Sequence, residues 1–315
     1  MGGRSKRRVA IEARLERKYP LVKVSTVESL ASFIILMKPG IVVAVLLAGF
    51  AGMVLAARGM PDSQTCLICL ASLFLAAAGS AMINGVLDAR MDLRMARLQT
   101  RVAALEKAGR GRVLATALTG IGIALFLAFR FLGSLAFLLI LAAVLTYTLL
   151  YTLLLKRSSP WGTVAGGIPG ALPVLIGYAA MVHSFGLDSI ILFTVMLLWQ
   201  PPHFWSLALE YRRDYLAAGV PVLAVTHGEK YAGILILLYA TALLPASLSL
   251  WLFGFCSIWY AVCALLSGVA FLGACYLFIC RSRHFAMAFN ASILYLMFLF
   301  AAIIGDICFI QRTMQ

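Results

Sequence analysis

Charged residues are scarce in this sequence. Asp, Glu, Lys and Arg together make up 12% of its 315 residues, whereas 63% belong to the hydrophobic set of aliphatic, aromatic, Met and Cys residues. A soluble globular domain carries about 25% charged residues. The composition therefore excludes an ordinary water-soluble enzyme and predicts an integral membrane protein.

The sequence also lacks the pattern of a zinc site. Seven Cys are present, but the single C-x-x-C pair, Cys66 and Cys69, has no second pair and no neighbouring His. Because a structural zinc site needs four such ligands at set spacings, the cysteines are predicted to pack as small apolar residues. No signal peptide is predicted, since the N-terminus opens with polar and basic residues instead of an apolar segment.

Long apolar runs are the main feature that is present. A membrane-spanning helix needs about 20 apolar residues, and nine runs reach that length, near 40–57, 66–86, 113–131, 134–155, 161–182, 188–208, 232–253, 258–280 and 288–309. Most connections between them are short. The sequence therefore predicts an all-α integral membrane protein in which residues 1–38 form a basic cytoplasmic tail and residues 39–315 form one bundle of nine transmembrane helices.

Basic residues are distributed unevenly over the predicted loops. If the N-terminus is cytoplasmic, 23 of the 26 Lys and Arg lie on that side, and only Arg58, Arg130 and Arg312 fall on the other. The positive-inside rule thus predicts a cytoplasmic N-terminus and a C-terminus on the opposite face. This orientation and the lack of an obvious transit peptide favour a bacterial inner membrane as the host, whereas the basic tail with few acids also fits a mitochondrial origin. No nucleic-acid motif accompanies the net charge of +14, which is instead predicted to attract anionic membrane lipid.

Acidic and amide side chains gather where the second apolar run ends, in "NGVLDARMD" (84–92). Asn84, Asp88 and Asp92 are spaced four residues apart, so on a helix they lie along one face over about 12 Å. Mg²⁺ usually binds through one or two carboxylates together with substrate phosphates. Basic residues that suit phosphate oxygens follow at Arg90, Arg94, Arg97, Arg101, Lys107, Arg110 and Arg112. This pattern predicts a metal-diphosphate site, or else ion pairs between these acids and arginines on a solvated helix end.

A second polar cluster follows the sixth apolar run. In "LEYRRDYLAAGVPVL" (209–223), Glu210 and Asp214 are four residues apart beside two arginines. The two clusters occupy equivalent places in two sets of four predicted helices, which suggests an internal repeat. Together they could supply a pair of bridged metal ions at one membrane face.

An ionisable residue also lies within the sixth run, in "WQPPHFW" (199–205). Intramembrane ionisable residues are candidates for function, so His203 is predicted either to face a substrate or to cap a backbone carbonyl. Pro201 and Pro202 are expected to unwind the helix at this point. Tyr147 and Tyr151, four residues apart in the fourth run, are predicted to pack, the alternative being that they stabilise a cation.

Several stretches resemble one family. Asn84, Asp88 and Asp92 match the N-x-x-x-D-x-x-x-D motif of the UbiA superfamily of intramembrane prenyltransferases. Further stretches resemble its haem O synthase (protohaem IX farnesyltransferase) branch: "LMKPGI" (36–41), "YTLLLKRSSPWGTVAGGIPGALPVLIGYAA" (151–180), "WQPPHFW" (199–205) and "RDYLAAGVPVLAVTHGEK" (213–230). The resemblance covers the first six runs and the loop that follows them. It implies nine helices around a central cavity whose cytoplasmic end is capped by the motif loops.

The sequence departs from the branch at several positions. Gly85 replaces a second Asn, and Arg90 replaces an acidic residue between the two matched Asp. In the Asn-Arg-Pro sequence that closes the motif only Arg101 is retained. Of the second acidic motif only Asp214 can be matched, so Glu210 has no support from the resemblance.

The resemblance implies transfer of a farnesyl group from farnesyl diphosphate to a vinyl group of haem B, with Mg²⁺ as cofactor. Whether the product passes directly to a haem A synthase or to an oxidase under assembly is left open by the sequence. The implied roles are Mg²⁺ ligation by Asn84, Asp88, Asp92 and Asp214, diphosphate binding by Arg97, Arg101, Lys156 and Arg212, haem contact by His203, and propionate or phosphate contact by Lys38. Lys156 and Arg157 could instead anchor the helix end. Two other functions fit: prenyl transfer to a quinone precursor, and haem binding or transport without catalysis.

Overall fold

The computed structural model describes residues 26–310 and has no strand in that range. Residues 1–25 of the predicted tail, and Arg312, lie outside the described residues. The helices are α1 (Thr26–Met37), α2 (Pro39–Ala57), α3 (Ser63–Asp92), α4 (Gln99–Ala108), α5 (Arg110–Leu132), α6 (Ser134–Ser158), α7 (Ile168–Val182), α8 (Leu187–Glu210), α9 (Arg212–Ala218), α10 (Gly228–Leu252), α11 (Ile258–Arg281) and α12 (Phe285–Phe309).

Eight of these helices are long and apolar enough to cross a membrane: α2, α3, α5, α6, α8, α10, α11 and α12. The all-helical membrane fold predicted from the sequence is therefore confirmed. The difference lies in the fifth predicted span, 161–182, which consists of a single helical turn at Gly162–Ala165 and the 15-residue helix α7. Gly166 and Gly167 separate the two pieces, because glycine weakens a helix. Pro169 lies in the first turn of α7, where proline is favoured.

Helix α8 runs without a break through Pro201 and Pro202. The prediction that these prolines unwind the helix is therefore wrong. Both rings are buried, and the Ser206 hydroxyl donates to the Pro202 carbonyl at 2.7 Å. Packing from neighbouring helices and a Ser hydroxyl are the means by which membrane helices tolerate proline.

Two sets of helices share one packing order. In the first set α2 packs on α3 and α3 on α5, and in the second α7 packs on α8 and α8 on α10. The two sets meet where α2 crosses α7. At this crossing glycines allow very close approach: a Cβ on Gly177 would lie 1.9 Å from the Gly49 carbonyl oxygen, and a Cβ on Gly52 would lie 2.1 Å from the Val174 carbonyl oxygen.

Substitution Gly177→Ala is expected to lower the thermal unfolding temperature in detergent, because the added methyl group must push α2 and α7 apart. Overpacking of this kind costs about 1–3 kcal/mol. Gly122→Ala is the matched control, since Gly122 is an exposed glycine of α5 where an added methyl group would meet no described atom within 4 Å. Equal unfolding temperatures for the two variants would show that the crossing is not tightly packed.

Helix α1 packs on α3 and α4, and its Leu36 is completely buried. The helix ends at Met37. Lys38 follows with a left-handed backbone, φ 55°, and Pro39 then begins α2. This left-handed step is uncommon for a residue with a side chain. It holds the Lys38 side chain at the end of the bundle where the motif of α3 lies.

The opposite ends of the helices are tied by separate polar contacts. Arg58 donates to buried Asp188 at 2.8 Å, and Asp306 accepts from the Ser257 backbone amide at 2.8 Å. Each of these contacts therefore ties the end of a helix to a loop, at the end of the bundle opposite the α3 motif.

Candidate active site

The α3 motif forms a buried row of polar side chains. Asn84, Asp88 and Asp92 are 3%, 0% and 1% exposed, and Asn84 Nδ2 donates to Asp88 Oδ2 at 2.9 Å. The spacing of four residues explains this contact, because it places successive side chains on one helix face.

Basic side chains from other segments of the chain contact Asn84 and Asp88. Lys156 Nζ, at the end of α6, donates to Asp88 Oδ2 at 2.5 Å, and Lys38 Nζ donates to Asn84 Oδ1 at 2.5 Å. Arg157 Nη2 lies 3.4 Å from Asp88 Oδ1. Lys38, Asn84, Asp88 and Lys156 are thus brought together from three separate segments.

Lys38 lies in an unusual electrostatic environment. Burial, and then the positive charges of Arg101 and Lys156, lower the pKa of Lys38 to about 7, against the opposing effect of Asp88 and Asp92. Burial is the larger cause, but Lys38, Arg101 and Lys156 also lie close enough for their positive charges to repel one another. Such a site favours a polyvalent anion.

Asp92 is paired with Arg101, whose Nη2 lies 2.8 Å from Asp92 Oδ2. The alternative of simple ion pairs is therefore correct in that each acid of the row has a basic partner or neighbour. It is wrong in the environment, because the acids are buried. It is also wrong in the spacing, because Arg101 lies nine residues after Asp92 and the basic partners of Asp88 come from α6. Burying charges in this way is costly for stability, which favours a functional reason for keeping them.

The second polar loop contacts the first through Arg97. Asp214 Oδ2 accepts from the Arg97 backbone amide at 3.3 Å and lies 4.0 Å from its Nε. The Arg97 guanidinium lies 4.7 Å from the ring centre of Tyr211 and 5.3 Å from that of Tyr215, and its Nη2 donates to the Tyr215 hydroxyl at 3.0 Å. Asp214 and these two tyrosines therefore clamp Arg97 by an ion pair and cation–π contacts.

Sequence reasoning missed the two tyrosines. Burial raises the pKa of Tyr215, so its hydroxyl stays protonated, and its oxygen accepts the hydrogen bond from Arg97 Nη2. The signal in the sequence was the pair of tyrosines that flanks Asp214 in "YRRDY". Aromatic side chains beside an acid are suited to hold a guanidinium.

Two other candidates of the second loop, Glu210 and Arg212, line one cavity with Asp214 and make hydrogen bonds of their own. Glu210 ends α8, and its Oε2 accepts from the Ala286 backbone amide at the start of α12 at 3.1 Å. Arg212 is exposed and donates from Nε to the Ala224 carbonyl at 2.8 Å. A break at Tyr211 puts Glu210 and Asp214 on different helices, so their spacing of four residues does not align them on one helix face.

His203 lies within the membrane part of α8, about 10 Å from the end of the helix at Glu210 by helical rise. Its ring is stacked between Trp199, at 4.3 Å, and Phe289, at 4.5 Å. Nδ1 is hydrogen-bonded to the Ser292 hydroxyl at 2.7 Å. The partner of Nδ1 is thus a side-chain hydroxyl instead of a backbone carbonyl, which does not support the carbonyl-capping alternative.

Two further predictions from the sequence can be placed. Arg90 is exposed, because it follows buried Asp88 by only two residues and points to the other side of α3. Its charge therefore does not lie between the two acids. Tyr147 and Tyr151 stack on each other with ring centres 5.9 Å apart, as the packing prediction required.

The donors and acceptors left over in this cluster suit a hard cation and an anion. Among residues 26–310, no three His, Cys, Asp or Glu side chains form a metal cluster by themselves. However, the Asp92 Oδ1 acceptor is buried and has no hydrogen-bond partner among residues 26–310. The Arg97 Nε and Arg101 Nε donors are also buried without a hydrogen-bond partner in this range. Because Mg²⁺ takes oxygen ligands and completes its shell with water and phosphate, these residues fit a metal-diphosphate group.

Comparison with known proteins identifies the same family. The family model for the UbiA prenyltransferase family matches residues 45–303. Protoheme IX farnesyltransferase of Geotalea uraniireducens is 54% identical over 256 residues, which is 81% of this chain and 99% of the relative. Protoheme IX farnesyltransferase of Aquifex aeolicus is 39% identical over 275 residues, which is 87% of this chain and 94% of the relative.

Solved structures share the fold. A digeranylgeranylglyceryl phosphate synthase superposes with a TM-score of 0.73 at 17% identity, over 89% of this chain and 99% of its own. A UbiA homologue from Archaeoglobus fulgidus bound to GPP and Mg²⁺ gives a TM-score of 0.64 at 15% identity, over 86% and 99% of the two chains. The chain is thus an integral membrane protein that belongs to the UbiA prenyltransferase family.

Proposed function

We propose that this protein transfers a farnesyl group from farnesyl diphosphate to a vinyl group of haem B and so makes haem O. The observation that carries the proposal is the 54% identity to a protoheme IX farnesyltransferase along 99% of that relative. The buried cluster of Asp88, Asp92, Lys156 and Arg101 supplies the chemistry that such a reaction requires.

Breaking the allylic carbon–oxygen bond leaves negative charge on the diphosphate. Groups that bind this charge more strongly in the transition state than in the ground state accelerate the step. Lys156 and Arg101 are paired with Asp88 and Asp92 at 2.5 and 2.8 Å, and we propose that they turn to the diphosphate oxygens when it binds. Arg97, clamped by the second loop, adds a further cation from a fixed direction.

A divalent metal would be held by Asp88 and Asp92, with Asn84 and Asp214 as the other proposed ligands. Mg²⁺ when bound would neutralise diphosphate charge as a Lewis acid, and a UbiA homologue structure contains it together with GPP. Because Asp92 Oδ1 has no hydrogen-bond partner among the described residues, this oxygen needs no displacement to accept a cation.

The allylic cation formed by bond cleavage must be protected from water. Beside Lys156 lies a small cavity, whose lining includes Tyr151, Pro160, Phe204, Tyr215 and Val222. The apolar and aromatic character of these side chains favours exclusion of water and offers ring faces to a cation. Lys156 also lines this cavity, which supports a protected region next to the proposed diphosphate site.

The remaining assignments complete the proposal. His203, stacked between two aromatic rings, is proposed to contact haem, and Lys38 to contact a propionate or phosphate. We further propose that the protein lies in a bacterial inner membrane with a cytoplasmic N-terminus, which puts the α3 motif at the cytoplasmic face. Delivery of the product to a haem A synthase or an oxidase is a further part of the proposal.

The direct test is to incubate the purified protein in detergent with haem B, farnesyl diphosphate and Mg²⁺, and to follow haem mass by liquid chromatography and mass spectrometry. A product with the mass of haem O that forms only with Mg²⁺ is expected. Product from a quinone precursor but not from haem would favour the alternative acceptor. Haem binding without any product would favour a non-catalytic haem protein.

Substitution Arg90→Gln is expected to leave turnover within about twofold of the parent protein, because surface changes away from a site have small effects and this side chain is exposed. The measurement is the same haem assay at saturating substrates. A loss of tenfold or more would mean that Arg90 enters the site and binds diphosphate directly.

A further inference from the structure

One buried hydroxyl next to the motif has no part in the function proposed above. Helix α6 changes to π-helical geometry over residues 146–155. Within this segment the Thr148 hydroxyl donates to the Val144 carbonyl four residues earlier, at 2.6 Å. The Thr152 hydroxyl donates instead to the Tyr147 carbonyl five residues earlier, at 2.8 Å. The wider π-turn explains the difference, and π-turns within α-helices are frequent at functional sites.

The hydrogen bond from the Thr152 hydroxyl to the Tyr147 carbonyl determines how this hydroxyl can bond to Asn84. Because the hydroxyl proton points to the Tyr147 carbonyl, only lone pairs of Oγ1 remain. Asn84 Nδ2 lies 3.0 Å from Thr152 Oγ1, so the amide must present its NH₂ group there. Thr152 is completely buried, and water therefore does not compete for the contact.

The other partners of Asn84 agree with this orientation. Nδ2 donates its second proton to Asp88 Oδ2 at 2.9 Å, and a carboxylate can only accept. Oδ1 then faces Lys38 Nζ at 2.5 Å, and an ammonium group can only donate. The amide oxygen is thus turned toward the cationic side of the cluster.

We propose that Thr152 is a positioning residue, which holds the Asn84 amide with its oxygen toward the metal-diphosphate site. The inference rests on the proposed function, since it gives Asn84 a part in binding that group. Only the oxygen of an amide binds a hard cation, so a rotated Asn84 would present the wrong atom. Partners that orient a ligand in this way typically change metal affinity or activity about 10–100-fold when they are removed.

A purely structural role for Thr152 makes a different prediction. In that case its hydroxyl serves only the Tyr147 carbonyl, and its loss lowers stability without a specific effect on binding. Thr148 provides the matched control. It is also buried, it lies in the same π-helical segment, and its hydroxyl also donates to a backbone carbonyl, four instead of five residues earlier.

The test measures binding of Mn²⁺ in the presence of inorganic pyrophosphate to the full chain in detergent, by the electron paramagnetic resonance signal of free Mn²⁺. Thr152→Val is expected to weaken binding about tenfold or more. Thr152→Ser, which keeps the hydroxyl, should bind within about threefold of the parent, and Thr148→Val should bind as the parent does. Thermal unfolding of each variant gives the structural cost separately.

A double-substitution cycle then asks whether Thr152 acts through Asn84. In an Asn84→Ala background, Thr152→Val is expected to cause no further loss of Mn²⁺ binding, because the group it positions is gone. The proposal is overturned if Thr152→Val binds Mn²⁺ as tightly as the parent, or if Thr152→Ser weakens Mn²⁺ binding as much as Thr152→Val does. It is also overturned if Thr152→Val still weakens Mn²⁺ binding in the Asn84→Ala background, or if the parent protein binds no Mn²⁺ with pyrophosphate.

Failure of this inference can be distinguished from failure of the proposed function. The binding measurement contains no haem and no prenyl chain, so it does not depend on the acceptor. If only Thr152→Val loses Mn²⁺ binding and the parent forms no haem product, the result would support the positioning role and reject haem as acceptor. Haem O formation by the parent together with unchanged binding by Thr152→Val would support the function and reject the positioning role.

Discussion

Replacement of both Asp88 and Asp92 by Asn is expected to lower haem farnesylation by about a thousandfold or more. One precisely placed electrostatic group is worth about 10²–10³ in turnover, and this variant removes two. Both carboxylates are buried and ion-paired, so an acid on the protein surface cannot take over their function in the variant. The measurement is the rate of haem O formation at saturating substrates.

Asparagine is preferable to alanine in this experiment because it keeps the size and one oxygen of each side chain. In the alanine variant, Lys156 and Arg101 would lose their ion-pair partners and would also lie beside new cavities. Asp62→Asn is the matched control, since Asp62 caps the other end of the same helix and Asn is an equally good N-cap. It should retain full turnover.

Monodisperse elution and an unfolding temperature close to that of the parent protein are needed to interpret a loss of activity. If the folded double variant keeps more than about a tenth of the parent rate, these carboxylates do not provide the electrostatic stabilisation assigned to them. The Asn84, Asp88 and Asp92 row would then be a structural feature of α3, and the reaction would have to use other residues.

The sequence was sufficient to place these acids but not to name all their partners. Spacing of four residues on one helix is a local property, and it put Asn84, Asp88 and Asp92 on one face of α3. The partners Lys156 and Thr152 come from α6, and they are separated from Asp88 and Asn84 by 68 residues. Contacts between helices depend on packing angles and on the π-turn in α6, which periodicity does not reveal.

The same limit explains the errors in the fold. Apolar length identified the membrane helices well, because the requirement for about 20 apolar residues acts on each segment alone. The behaviour of Pro201 and Pro202 depends on what surrounds them, and buried packing keeps α8 continuous. Glu210 and Asp214 looked adjacent only if one helix continued through Tyr211, where the structure begins a new helix.

Lys156→Met is the second change with a large expected effect, and it separates two roles for this residue. Methionine keeps an unbranched side chain of similar length and removes the charge. If Lys156 turns from Asp88 to the diphosphate, turnover should fall about 10²–10³-fold, as for the loss of one fixed donor to developing charge. Asp88 would keep Asn84 and Arg157 as partners, so the fold should survive.

Arg157→Met is the matched comparison at the neighbouring position. Arg157 is 39% exposed and lies 3.4 Å from Asp88, whereas Lys156 is 15% exposed and lies 2.5 Å from it. A partly exposed charge is screened by solvent and contributes less, so this variant should lose less than about tenfold. A mere anchor at the membrane surface would make the two substitutions equivalent, because either cation satisfies the positive-inside rule. Equal and small losses would therefore assign Lys156 to anchoring, and would leave Arg97 and Arg101 as the cations that bind the leaving diphosphate.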